Sequence, residues 1–214
     1  MGKGTAGKNA DLYTTGTSTS MTDEACTENS GTEFQVTASA KRILDTSVAV
    51  VVKVDTVVQS SGYSVDYNFG KVTFDTSQTG STVTITASYL PRHNLAKIYD
   101  ASISDSWDTV DTTCFQDDAQ DTTLTIRRAS ISFSTYDLLD TVYDGGTEDL
   151  NNTFANGDLK VFELQETGSG NSVTRVRSYL TGKDVSTDAQ GVVTVDLGTV
   201  GSGDGNTLIS RGTV

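Results

Sequence analysis

Proline and histidine occur once each in these 214 residues, and cysteine only twice. Each scarcity excludes something. A single histidine, His93, removes every site that needs two imidazoles. Beside Pro91, with no serine elbow to serve, it reads as interdomain linker and not as a triad base. Cys26 and Cys114 stand far apart and outside any CxxC spacing, so they read as reduced thiols. Long apolar runs are missing too. The longest, Val48 to Val52 with its neighbours, is far short of the roughly 20 residues of a membrane helix. The N-terminus, MGKGTAGKNADLY, has basic residues but no apolar stretch behind them. It is therefore no signal peptide, and folding in a cytoplasm is expected. Bases are outnumbered, 15 against 28 acids, for a formal net charge of −13. A tight grip on nucleic acid needs lysine and arginine to displace counterions, so that class is disfavoured.

What is abundant is Thr, Ser, Val, Asp and Gly, a composition for strands and turns. At 35% the hydrophobic content is too high for wholesale disorder. In STVTITASYL, Val83, Ile85, Ala87 and Tyr89 alternate with Thr and Ser, which predicts a half-buried strand. YSVDY and KVTF flank Asn68, Phe69 and Gly70 and read as a hairpin. VAVVVKV reads as a more fully buried strand. Residues from about 32 to 90 thus look like a small antiparallel unit closed by Pro91. Further on, LAKIYDASISDSWDTVD and LTIRRASISFS bracket the polar stretch TTCFQDDAQDTT. The second strand changes phase at Arg127 and Arg128, which predicts a β-bulge. STYDLLDTVYDGG has helical spacing, with Ser134 or Thr135 as N-cap, Tyr136, Leu139 and Tyr143 on one face and Gly145 as terminator. DLKVFELQE, SVTRVRSYL and GVVTVDLGTV return to strands. The predicted fold class is all-β, mainly antiparallel sandwich or barrel, with one flanking α-helix and a small inserted β domain.

Motifs that carry chemistry are few. Gly2, Gly7 and Lys8 match part of a phosphate-binding loop, but Asn9 stands where Ser or Thr would hold Mg²⁺. A polar N-terminal arm is the better reading. Asp117, Asp118 and Asp121 lack the alternate spacing and glycine turn of a calcium loop, and read as a solvated acidic loop. Trp107 lies on an alternating strand and reads as an anchor before it reads as a sugar platform. No catalytic residue, cofactor or metal is therefore assigned.

The order of elements carries a resemblance. A short N-terminal strand (NADLYTTG), the strand LAKIYDASISDSWDTVDTT, an acidic loop, the strand LTIRRASISFS, the helix STYDLLDTVYDGG and closing strands follow one another. This resembles the major tail tube proteins of long, flexible, non-contractile bacteriophage tails, over residues 1–20 and about 93–214. The resemblance implies a β-sandwich assembling with itself into stacked hexameric rings, whose strands join in one barrel around a lumen that DNA traverses. It implies a virion (tail) location, tape-measure and tail terminator proteins as partners, no membrane and no enzyme activity. It further implies that Asp117, Asp118 and Asp121, in the loop from Thr113 to Thr123, reach the neighbouring ring. Residues 21–92 would be an inserted domain on the tube exterior. The polar parity Asp100, Ser102, Ser104, Ser106 and Asp108 is the expected lumen face. The alternative, from another class, is a carbohydrate- or receptor-binding β module of adhesin or tail-tip type, using Trp107 and tyrosines; a hydrolase with paired aspartates comes third.

Overall fold

A computed structural model describes residues 10–111, 122–135, 159–166, 172–201 and 209–213. The chain divides into two compact units. Residues 15–93 form one, and the flanking segments 1–14 and 94–213 form the other. The sequence-based boundaries lay at 20/21 and 92/93. The fold is all-β in both units, and every pairing with an assigned register is antiparallel.

The larger unit contains β1 (Ala10–Thr15), β9 (Arg92–Asp111), β10 (Thr122–Thr135), β11 (Leu159–Glu166), β12 (Ser172–Thr187), β13 (Val193–Gly201) and β14 (Ile209–Thr213). They pair in the order β11-β1-β9-β10-β13-β12-β14, and β11 pairs with β12 as well, so the circuit of pairings returns to its start. Alternation points Leu12, Ile131, Phe133, Phe162, Val176, Val195 and Leu197 into one buried cluster. Each such side chain stabilises by about 1.5–3 kcal/mol when fully buried. The gap left among Leu12, Ile98, Phe133 and Phe162 is about 10 Å³, room for one water. Around these residues the interior is filled.

Two bulges set which way β9 and β10 face. Pairing slips between Leu124 and Arg127, immediately before the predicted Arg127 and Arg128, leaving Thr125 and Ile126 opposite Asp108 alone. A second slip, between Ser134 and Thr135, leaves Tyr99 without a counterpart. It changes parity: Ile98 is buried, and the inward positions beyond are Ala101 and Ile103. The predicted helix covers residues outside the described ones. Its proposed caps are committed elsewhere, because both end β10: Thr135 Oγ1 donates to the Lys97 carbonyl (2.7 Å), and the Ser134 hydroxyl meets that of Thr194 (3.2 Å).

On the opposite side of β11 and β12, outward-parity residues are also buried. Glu163 and Arg175 stand directly across from each other, each about 1% exposed by side chain. Nε and Nη2 of Arg175 both donate to Glu163 Oε2, at 2.7 and 2.6 Å. Arg177, two residues on, is wholly buried beside Val161.

The smaller unit contains β2 (Thr19–Ser30), β3 (Glu33–Val36), β4 (Val51–Val54), β5 (Val57–Gln59), β6 (Tyr63–Asp66), β7 (Lys71–Phe74) and β8 (Val83–Tyr89). Their order is β5-β4-β8-β2-β3-β7-β6. The first part of β2, from Thr19, pairs with β8, and its second part, from Cys26, with β3. One strand thus serves both halves of the sheet, around a core of Phe34, Val36, Val52, Val72, Phe74 and Ile85. Phe34 and Phe74 meet edge to face, centroids 5.7 Å apart. VAVVVKV is not the buried strand its composition suggested. Only Val51–Val54 is strand; Val51 is exposed because β4 has one solvent face, and Val48 is exposed ahead of the strand.

Two turns in this unit give stability predictions. Gly70 closes the β6–β7 connection at φ +59°, after Asp66 has accepted hydrogen bonds from the Asn68 and Phe69 amides. A Cβ there would lie 2.9 Å from the Arg42 carbonyl oxygen and 3.0 Å from its Cα. Gly70→Ala is expected to cost about 2–3 kcal/mol, from left-handed strain plus displacement of backbone. Thermal denaturation checks this; an unchanged melting temperature would refute it. The β4–β5 hairpin turns on Asp55 and Thr56, both at positive φ (+48° and +73°). Such a turn favours glycine, and a β-branched residue is strained in it. Asp55 contributes hydrogen bonds to Thr82, which leaves Thr56 as the replaceable residue. Thr56→Gly should stabilise by about 0.5–1 kcal/mol, the relieved strain exceeding the entropy of glycine. A lower melting midpoint in urea would contradict this.

Candidate functional site

Alternation sends every second residue of β9, β10, β13 and β12 away from the core, and the registers align these residues in rows. In the first row Asp100, Ser134, Thr194 and Ser186 are successive partners; in the second, Ser102, Ser132, Asp196 and Asp184; in the third, Ser104, Ser130, Gly198 and Gly182. Directly paired residues share a face. Twelve positions on four strands therefore hold six serines, one threonine, three aspartates and two glycines, and neither a base nor an apolar side chain.

Hydroxyls bond across strands on this face. Ser104 and Ser130 meet at 2.6 Å, and Ser134 and Thr194 at 3.2 Å. The carboxylates are exposed and uncompensated within the rows. Asp184 and Asp196 face each other directly, where like charges oppose folding by a few tenths to about 1 kcal/mol. The face gives up some stability to keep negative charge.

Of the expected lumen residues, Asp100, Ser102 and Ser104 lie exposed on this face. Asp108 lies further along β9 opposite the β10 bulge, and its side chain, like those of Ser106 and Trp107, is outside the described ones. Asp117, Asp118, Asp121, Cys114 and the segment Gly2–Asn9 are outside the described residues altogether. Asp184 and Asp196 were not singled out in the sequence, although each occupies the polar parity of its strand. His93 is a strand residue near the start of β9, half-buried beside Gly16, at the point where the unit of residues 15–93 passes into the other, as the linker reading expects. Cys26 is a free thiol whose burial pushes its pKa up to about 12. Among the described residues, no three acidic, histidine or cysteine side chains are grouped as metal ligands would be.

Among the described residues, the edge beside this face has no partner strand beyond Tyr179. The β11 register along β12 ends at Tyr179, while the β13 register continues to Thr187. Through Thr187, β12 therefore has a partner strand on one side only among the described residues. Compared with known proteins, the chain matches no family model and no curated sequence.

Proposed function

We propose that this chain is a structural subunit of a bacteriophage tail tube, polymerising with itself as stacked six-membered rings around an acidic lumen through which DNA is ejected. The observation that carries the reading is the four-stranded face of hydroxyls and carboxylates, with Asp184 set against Asp196. A wall of this chemistry suits passing DNA. Carboxylates repel phosphates, over a screening length of about 8 Å at physiological salt, and serine hydroxyls offer no cation to hold them. A neighbouring subunit would pair the β12 edge that has no partner strand among the described residues. An open edge is an aggregation hazard in a monomer and a designed contact in a ring, and head-to-tail contacts close rings. Stacking leaves the ends open for tape-measure and terminator proteins. In this role the chain has no catalytic step and no cofactor, and its location is the virion tail.

Electron microscopy of the purified protein at increasing concentration tests the reading. Uniform tubes or six-fold rings with a central hole are expected. A monomer at all concentrations that instead binds glycans would sink it and favour the carbohydrate-binding alternative.

A further inference from the structure

The smaller unit carries a second unprotected edge, with chemistry unlike that of the first. Val57 and Val58 of β5 are 63% and 56% exposed, and Val51 of the neighbouring β4 is 37% exposed. Natural edge strands are usually guarded by shortness, lysine, proline or a bulge. β5 is short, at three residues, but has no lysine, proline or bulge, and no charged residue occurs from Thr56 through Val65. The one base next to it is internally neutralised. Lys53, directly across from Val58, is held by Asp23 at 2.6 Å, and this bond keeps the Asp23 carboxyl below its ordinary pKa.

Two observations select the occupant. The first is charge. Residues 15–93 hold eight acids and five bases, a formal −3, which leaves −10 for the other unit. A copy of this chain is repelled least at this unit, and a neutral valine edge gives a highly charged partner nothing to recognise. The second is hairpin geometry. In a two-residue hairpin the flanking pair, here Val54 and Val57, exchanges its backbone bonds. At Val58 the N–H and C=O then point away from β4. An antiparallel two-fold centred on Val58 lets Val58 and its symmetry mate exchange both bonds, sets Val57 against Gln59, and brings the two Val58 side chains together on the outward face. We infer that β5 is a self-pairing edge through which two copies of this chain associate by a two-fold contact at Val58.

This contact does not rest on the tube reading. It has no place between equivalent subunits of one polar tube, since such a tube lacks that two-fold. It belongs instead to the chain before assembly, or to contacts between tubes.

The test uses the full chain with Cys114→Ser, leaving Cys26, whose raised pKa keeps it from being a ready thiolate. Val58→Cys is treated with a short bis-maleimide, with Gln190→Cys in an exposed turn as control. Covalent dimer is expected in at least about fivefold excess for Val58→Cys, since paired Cα atoms lie about 5.5 Å apart. Equal yields at both positions, or none at Val58, would overturn the inference. Sedimentation velocity gives a second reading at tens of micromolar. Val58→Lys should abolish a dimer present in the wild type without lowering the melting temperature; a monomeric wild type, or a variant that sediments unchanged, also overturns it. Rings and tubes are read separately by microscopy, so failure here is distinct from failure of the tube.

Discussion

Replacing Glu163 by alanine is expected to destabilise the larger unit by about 3–5 kcal/mol, more than Gly70→Ala costs the smaller one. The reason is the burial of the pair. Glu163 and Arg175 are directly paired on β11 and β12, each about 1% exposed, with two guanidinium nitrogens donating to one carboxylate oxygen. Without the carboxylate, a buried cation loses the acceptor of two donors and cannot reach water. Because whole domains are stable by only about 5–15 kcal/mol, the variant should unfold well below the wild type's melting temperature. Glu163→Leu with Arg175→Met gives the sharper comparison. Removing both charges should recover most of the loss, as buried pairs often exchange for apolar residues at little cost. Urea denaturation of the two variants measures this. A loss under about 1 kcal/mol for Glu163→Ala, or a double variant no better than the single, would show that the pair is not what holds these strands.

That pair also marks how far the fold was legible. KVFEL and VTRVR alternate, so β11 and β12 were readable as strands. Polarity then assigns Glu163, Arg175 and Arg177 to water, and the structure buries all three. Burial on the outward side of a strand depends on what lies over it, which periodicity does not encode. β2 was missed for the opposite reason. Of its 12 residues only Met21 is buried, because β2 joins two halves of a sheet and leaves most of its side chains in solvent. Its bulge at Asp23, with φ +49°, breaks what alternation there is. β8, which packs one face on the core, was the easiest to see. The candidate face was half legible. Asp100, Ser102 and Ser104 could be aligned from one strand, but Asp184 and Asp196 join them only through the registers of β12, β13 and β10. Long-range pairing, not local pattern, assembles the twelve positions.

If the chain forms the proposed tube, charge reversal on that face is the second large expected effect, acting on DNA passage with little change in folding. Asp100→Lys combined with Asp196→Lys should leave stability within about 0.5 kcal/mol or improve it, since both side chains are exposed. At position 196 the new lysine would face Asp184, turning a like-charge pair into an attractive one worth a few tenths of a kcal/mol. Rings and tubes should form as before. DNA passage should not. Each ring would present twelve new cations to the phosphates, and each lysine–phosphate contact releases a counterion, so retention multiplies along the tube. A loss of infectivity of at least about tenfold is expected, against no loss for Asp75→Lys, an exposed residue of the smaller unit. Salt separates this mechanism from a hidden assembly defect. At about 1 M the screening length falls to about 3 Å, so ejection in vitro from the variant should return towards the wild-type rate, whereas a misassembled tube would stay blocked. Normal infectivity of the double variant would remove these aspartates from the path of the DNA.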